Sequence, residues 1–211
     1  MTSLKSSQLK ILPKGTLIKF VLLGFILSLA LLFYVVPINS IRGGSAPLIQ
    51  NAVVFQKKEQ TVYGLPMRLK IPKINVDTTL EYVGLTSKGA VGVPKGPTSA
   101  AWFNFGPRPG DKGSAIITGH YGYWKNGKIG VFNNLYKLRK GDKLYVEDEK
   151  GVTAIFVVRE FRTYDPKAKA SGVFVSTDGK AHLNLITCEG TWNKISKSYP
   201  RRLVVFTDKE E

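Results

Sequence analysis

The sequence predicts an all-β domain, a barrel or a sandwich, preceded by one N-terminal transmembrane helix. Two observations predict the domain. Strand-sized runs rich in β-branched and aromatic residues recur along it, and turn residues separate them. The 21 glycines and 11 prolines fit a chain with many turns. A third observation, an uncharged apolar stretch from Phe20 to Ile41, predicts the helix.

The apolar stretch contains FVLLGFILSLALLFYVV, and a helix needs roughly 20 such residues to cross a bilayer. A cleaved signal peptide and a buried core helix are the alternatives. Signal peptides have an apolar region of about 7–15 residues, and the following PINSIRGGSA offers a poor cleavage site. A core helix would show a polar face, which is absent from this pattern. The sequence therefore favours an uncleaved transmembrane anchor over residues 20–41.

Charge predicts the orientation of the anchor. Four lysines and no acidic residue precede it, whereas Arg42 alone lies close behind it. The positive-inside rule places residues 1–19 in the cytoplasm as a basic N-terminus. Residues 42–65 follow as a polar extracellular stalk. The predicted location is the cell membrane, single-pass, with the remaining domain outside.

The formal net charge of +16 limits the choice of partner. Residues 1–42 hold five of the 31 basic side chains and no acidic ones, so the rest of the chain carries +11. A basic exported domain could meet anionic lipid, wall polymers or nucleic acid. The charges are scattered and no nucleic-acid motif is visible. A soluble surface near an anionic envelope is therefore expected, without a nucleic-acid partner.

The predicted elements of the outer domain follow in order from residue 66. The run MRLKIPKINVDTTLEYVGL is broken at Pro72, which predicts two short strands or an edge strand. Residues 89–113 are rich in Gly and Pro and predict mostly loop. A short turn of possible helix is expected near KIGVFNN, and DEKG is expected to be a hairpin turn. Further strands are predicted in SAIITGH, GDKLYVED, GVTAIFVVREFRTY, HLNLITC and RRLVVFT.

The chain has one cysteine, Cys188, which excludes an internal disulfide. An odd cysteine in an exported protein is an unpaired residue, an intermolecular bridge or a reactive thiol. Cys188 closes the strand HLNLITC, and EGTW opens a loop. Sites are often built where strands meet loops. The alternative is a small buried hydrophobe, a common role for free cysteine.

A thiol nucleophile needs a thiolate and usually a nearby histidine, and the chain has two histidines. His182 lies six residues before Cys188 on the same strand, about 20 Å away at about 3.3 Å per residue. It is expected to be a surface or strand-end residue. His120 ends the run SAIITGH, so two strands of one sheet could bring it to Cys188. The alternative for His120 is a loop histidine with local partners.

Acyl transfer also needs a group that holds the developing oxyanion, and a fixed cation can do this. Arg201 and Arg202 begin the final apolar strand, where a solvated pair is the alternative. Strand alternation sends their side chains to opposite faces, so only one can join a site with Cys188. No HExxH or CxxC motif and no Gly-rich phosphate loop is present, so no metal or cofactor is predicted.

The segments SAIITGHYG, LNLITCEG and RRLVVFT, in that order behind an anchor, resemble the sortases, most closely classes D, E and F. The resemblance covers residues 66–208 and implies an eight-stranded β-barrel with short helices. It implies a membrane-anchored cysteine transpeptidase. Such enzymes cleave an LPxTG-like sorting signal on secreted proteins, form a thioacyl enzyme, and transfer the protein to an amine of a cell-wall precursor or a pilin.

The resemblance also implies roles for single residues. Cys188 would be the nucleophile, and His120 would protonate the leaving amine and activate the incoming one. The arginine would position the substrate carbonyl and stabilise the oxyanion. Its usual place directly before the final apolar run favours Arg202, and a variant spacing favours Arg201.

Two further features follow from the family motif TLxTC. Thr187 is retained and is expected to orient the site as a substrate-binding residue. Asn184 stands where the motif has its first threonine. The segment YDPKAKASGVFVSTDG, residues 164–179, is expected to be the loop that faces the substrate.

Two other functions stay open at this point. One is another cysteine acyl-transferase that acts on peptidoglycan, such as an L,D-transpeptidase. These enzymes usually hold His and Cys in an SHGC-like motif, whereas His120 and Cys188 are 68 positions apart. The other is a non-enzymatic, membrane-tethered β module that binds wall polymers through its positive charge.

Overall fold

The structure, a computed structural model, describes residues 61–124 and 127–211. The predicted cytoplasmic N-terminus, the anchor at 20–41 and most of the stalk lie outside these residues. Within the described ranges, no helix has the length and apolar character needed to cross a membrane.

Eight strands in the described part of the chain close into a barrel, which confirms the predicted all-β class and the eight-stranded barrel. The strands are β1 (Pro66–Ile71), β2 (Val76–Val83), β3 (Ala100–Phe103), β4 (Gly113–Gly119), β5 (Lys143–Asp148), β6 (Thr153–Tyr164), β7 (Ala181–Glu189) and β8 (Arg201–Lys209). Their order around the barrel is β1-β2-β3-β4-β7-β8-β6-β5, and β5 pairs with β1. The pairs β2–β3 and β4–β7 are parallel and the others are antiparallel.

Short helices in the described residues lie between the strands: they include 3₁₀ turns at Pro72–Ile74 and Leu135–Lys137, and α1 (Ser171–Phe174). Pro72 ends β1 as predicted, because proline has no N–H for the ladder. Asn75 then adopts the left-handed conformation, with φ of 54°, and the chain turns into β2. The break at Pro72 therefore gives two antiparallel strands.

Two elements lie where the sequence predicted loop. β3 falls inside the Gly- and Pro-rich segment 89–113, and α1 falls inside the segment 164–179. β3 has only four residues, AAWF, and gains its order from β2 on one side and β4 on the other. Trp102 also donates from Nε1 to the carbonyl oxygen of Pro107 over 3.1 Å. Most of 89–113 is loop, as predicted, but the prediction missed β3, which is stabilised by its neighbouring strands rather than by local strand propensity.

The barrel strands bury their two faces against different partners. Leu183 and Leu185 of β7 point into the main core, together with large residues from the other strands. On the outer face a second cluster forms, consisting of Ile116, Val173, Val204 and Phe206. Val173 belongs to α1, so this helix covers part of the outer face. Because side chains alternate along a strand, the last outward-facing positions of β4 and β7 lie beyond the part that α1 covers. These positions are available for a site.

Candidate active site

The parallel pairing of β4 with β7 brings His120 beside Cys188. Thr118 pairs with Ile186 in this ladder, and His120 and Cys188 follow two residues later on each strand. Parallel neighbours end at the same edge of a sheet, so the two side chains reach the same rim of the barrel. The hydroxyl of Thr187 donates to the carbonyl oxygen of Gly119 over 2.8 Å and fixes this alignment.

The antiparallel pairing of β7 with β8 places Arg202 directly opposite Cys188. Residues directly opposite each other in a ladder share a face, so Arg202 and Cys188 point to the same side. Arg201 lies opposite Glu189 and forms an ion pair with it, with Nε and Oε2 3.1 Å apart. The structure therefore brings Arg202 to the cysteine and turns Arg201 away from it.

One cavity of about 640 Å³ contains the predicted residues His120, Cys188, Arg202 and Thr187 in its lining. Most of its other walls are apolar. They include Leu85, Val91, Val93, Phe103, Phe174 and Ile186. The cavity can thus hold an apolar segment with the thiol, the imidazole and the guanidinium in its lining.

His120 is held in one orientation by two neighbours. Its Nε2 lies 2.8 Å from the carbonyl oxygen of Pro94. A carbonyl oxygen only accepts, so Nε2 carries the proton and donates it. The ring also contacts the edge of Trp124, with centroids 4.6 Å apart. In the neutral ring, Nδ1 is therefore the nitrogen that can accept a proton.

Cys188 is half-buried, and its surroundings act on its pKa in two directions. Burial raises the pKa of the Cys188 thiol above its ordinary value, because the thiolate loses hydration. The positive charge of Arg202 opposes this rise. Burial also raises the pKa of Tyr199, and the nearby Cys188 adds to that effect. In the free protein the environment favours the thiol, so a base must take its proton.

Arg202 is itself oriented by backbone carbonyl groups. Its Nη1 donates to the carbonyl oxygens of Tyr199 and Arg201, at 3.2 and 2.9 Å. These bonds hold the guanidinium at the start of β8, and no acidic side chain among the described residues pairs with it. The positive charge thus stays available to a developing negative charge.

The segment 164–179 reaches the cavity through Pro166, Lys167, Ala168 and Phe174, and its role as the loop that faces the substrate stays a prediction. Asn184 anchors this segment, because its Nδ2 donates to the carbonyl oxygen of Val173 over 2.6 Å in a buried position. The sequence marked Asn184 only as a departure from the family motif. In the structure Asn184 holds the segment 164–179 through this hydrogen bond.

His182 was expected to be a surface or strand-end residue, and it lies at the end of β7 but is buried. It is 4% exposed, at the opposite end of β7 from Cys188. Its Nδ1 lies 2.7 Å from Asp208, and its Nε2 lies 2.9 Å from Asp178. The two carboxylates stabilise the buried ring and explain its burial. Within the described ranges, no group of three or more His, Cys, Asp or Glu side chains could hold a metal ion.

A family model described as the sortase domain matches residues 69–210. The chain belongs to the sortase family. The match runs from within β1 to the end of β8 and includes His120, Cys188 and Arg202. No curated protein sequence matches the chain.

Solved sortase structures share the barrel. A pilus-related sortase C of Group B Streptococcus is 22% identical over 72% of this sortase and 70% of that chain, with a TM-score of 0.53. A lid mutant of sortase A from Corynebacterium diphtheriae is 18% identical over 73% and 74%, with a TM-score of 0.52. Sortase C-1 from Actinomyces oris is 23% identical over 68% and 73%, with a TM-score of 0.50. At these identities the similarity establishes the fold.

Two parts of the candidate site were not found from the sequence. The carbonyl group of Pro94, which orients His120, lies in a loop and has no sequence signal. The aromatic side chains of Trp124, Trp192 and Tyr199 line a second cavity beside Cys188. These aromatic residues do have a sequence signal, because YGYW follows His120 and EGTW follows Cys188.

Proposed function

We propose that this sortase cleaves an LPxTG-like sorting signal and transfers the protein to an amine of the cell wall or of a pilin. The observation that carries the proposal is the meeting of His120, Cys188 and Arg202 in the lining of one largely apolar cavity. The leucine and proline of such a signal suit the walls formed by Val91, Val93 and related side chains. The class D, E or F assignment stays a prediction.

The first half-reaction forms a thioester. His120 Nδ1 takes the thiol proton, and the Cys188 sulfur bonds to the carbonyl carbon that precedes the last residue of the motif. Arg202 stabilises the negative charge on the carbonyl oxygen. The C–N bond then breaks, and the imidazolium returns its proton to the leaving amine. The raised pKa of Cys188 fits a thiol that is deprotonated only as substrate binds.

The second half-reaction transfers the acyl group. An incoming amine attacks the thioester carbon, the C–S bond breaks, and the amine loses a proton to His120. The proposed anchor at residues 20–41 would hold residues 66–208 outside the membrane on the stalk at 42–65. There secreted proteins and amine acceptors of the envelope would both reach the site.

The decisive experiment seeks the acyl-enzyme. The full chain in detergent micelles would be incubated with a library of LPxTG-like peptides, and intact mass would reveal any adduct. We expect an adduct of the acyl fragment on Cys188, absent in the Cys188→Ala and His120→Ala variants. Circular dichroism would show that both variants keep the barrel.

Two results would overturn the proposal. One is turnover of a sorting peptide by Cys188→Ala. The other is the absence of any adduct, together with a thiol that ignores alkylating reagents. The second result would indicate a structural cysteine and a wall-binding module.

A further inference from the structure

A second cavity adjoins the first and shares His120 and Cys188 with it. Its volume is about 960 Å³. We propose that this aromatic cavity binds the acceptor, and that the acceptor is an alkyl primary amine such as a lysine side chain. This inference rests on the proposed transpeptidase function, because that reaction needs a second substrate at Cys188.

Aromatic side chains dominate the lining of the cavity. They are Tyr121, Tyr123, Trp124, Trp192 and Tyr199. Tyr199 connects two of them, with ring centroids 5.0 Å from Trp192 and 5.3 Å from Tyr121. These contacts hold the rings of the β7–β8 loop against the segment that follows β4.

The position of the cavity determines what can react there. The sorting signal fills the apolar cavity on one side of the thiol, where Arg202 lies. The aromatic cavity opens on Cys188 without Arg202 in its lining. An occupant of the aromatic cavity can therefore reach the thioester carbon while the acyl chain stays in place. His120 lines both cavities and serves both halves of the reaction.

Charge favours an amine. Among the described residues that line the cavity, none is Asp or Glu. The faces of Trp and Tyr attract an ammonium group within about 6 Å of the ring centroid. A carboxylate would hold the amine as a cation, and a protonated amine cannot attack. Aromatic faces attract the cation more weakly than a carboxylate does, and the loss of water lowers the pKa of the ammonium.

The same argument separates two kinds of acceptor. The ammonium of lysine has a pKa of about 10.4 in water. The reactive neutral fraction of lysine therefore increases most in an environment that lowers this pKa. An α-amine, with a pKa of about 7.7–8.0, is already close to neutral at pH 7. Lysine also brings four methylene groups, which can pack on the exposed rings. A glycine α-amine has no such stem to bury.

The transfer step balances with these groups. The ammonium first releases one proton to solvent. The amine nitrogen then bonds to the thioester carbon and gives its second proton to His120 Nδ1. The C–S bond breaks, and its electron pair leaves on the Cys188 sulfur. The products are an amide and the free enzyme.

Trp192 is the residue to change, because it contacts Tyr199 and not the ring of His120. The full chain in detergent would be acylated with a sorting peptide and offered Nα-acetyl-lysine amide or triglycine. We expect Trp192→Ala to raise the KM for the lysine amide about tenfold and to change the KM for triglycine less than twofold. The acylation rate of Cys188 would be measured on the same samples, so that any effect on the first half-reaction is separated from the change in acceptor KM.

Two variants control the result. Trp192→Phe keeps an aromatic face and should restore most of the lysine-amide activity. Ile195→Ala changes a 95% exposed side chain in the same loop, outside the aromatic cavity, and should have no effect. An unchanged lysine-amide KM in Trp192→Ala would overturn the inference. So would an equal loss with triglycine, which would indicate a general acceptor surface or a seat for the leaving peptide.

A binding measurement separates this inference from the proposed function. In the Cys188→Ala variant, the indole N–H signals of Trp124 and Trp192 would be followed while Nα-acetyl-lysine amide is added. We expect both signals to shift, and to shift less with the uncharged Nα-acetyl-norleucine amide. Indole signals that stay fixed would overturn the acceptor cavity even where acylation of Cys188 succeeds. Failure of acylation with shifting signals would count against the sortase reaction alone.

Discussion

Thr187 and Gly119 are joined by a buried hydrogen bond, in which the Thr187 hydroxyl donates to the Gly119 carbonyl oxygen over 2.8 Å. Each residue directly precedes a proposed catalytic residue, Cys188 in one case and His120 in the other. This one bond therefore sets the alignment of nucleophile and base across the parallel strands. A change in it should affect the reaction as well as stability.

We expect Thr187→Val to lower both stability and activity. Valine keeps the shape but leaves the Gly119 carbonyl oxygen without its side-chain donor, which costs about 1–3 kcal/mol. Without this hydrogen bond His120 and Cys188 are held less firmly in alignment, so acylation should slow at least tenfold. Urea unfolding and the rate of adduct formation measure the two effects.

Thr207→Val is the matched control for that change. Thr207, on β8, donates to the carbonyl oxygen of Leu183 over 2.7 Å in a similarly buried position, towards the other end of β7. It should lose similar stability and keep its acylation rate. Equal losses of activity in both variants would show that general destabilisation, not alignment, is responsible.

Replacing Arg202 should slow the reaction much more than replacing Arg201. Arg202→Ala removes the cation that opposes the burial-driven rise in the pKa of Cys188, so that pKa should rise further. Loss of an oxyanion donor typically slows a reaction by about 10²–10³-fold. Arg201→Ala removes only an exposed ion pair with Glu189, worth about 0–1 kcal/mol.

The pH dependence of Cys188 alkylation and the acylation rate of each arginine variant test this difference. If Arg201→Ala slowed acylation and Arg202→Ala did not, Arg201 would be the arginine that stabilises the oxyanion.

Asn184→Thr restores the residue of the family motif and should weaken substrate binding. Threonine is one bond shorter and loses the contact with the Val173 carbonyl oxygen. The segment 164–179 then loses an anchor, so we expect the KM for the sorting peptide to rise severalfold with little change in kcat. Alkylation of Cys188 by a small reagent should be unchanged. A lowered kcat at constant KM would contradict the anchoring role.

The ionised carboxylate of Asp178 stabilises the fold, and this stabilisation is lost in acid. Its hydrogen bond with His182 holds the pKa of the Asp178 carboxyl well below its usual range. The ordinary Asp pKa is about 3.9, so the contribution is complete above about pH 5 and is lost as pH falls through the lowered value. Asp178→Asn should therefore be less stable than wild type at pH 7, and the difference should shrink in acid. Urea midpoints at pH 7 and pH 3 test this, and a constant difference would refute it.

The sequence was informative where the signal is local. Seven strands have β-branched runs bounded by turns, and these strands were predicted. β3 has two alanines and four residues in all, so its order depends on β2 and β4. The burial of His182 likewise depends on Asp208, which reaches it from β8. Contacts between distant segments have no local signature.

Register explains why the choice between Arg201 and Arg202 stayed open. The sequence shows that adjacent strand residues face opposite sides. It does not show which of them lies opposite Cys188. A slip of one residue between β7 and β8 would exchange the two arginines. The order of strands around the barrel, which makes β4 and β7 neighbours, is likewise a property of the whole fold.

The place of β8 in the barrel bears on the order of biosynthesis. β8 is the last of the eight strands along the chain, yet it lies between β7 and β6. Before it is made, both of those strands have an open edge and Cys188 has no arginine beside it. Ribosome-bound or prematurely ended chains therefore display the thiol without the complete site. The enzyme becomes competent only when its final strand closes the cylinder.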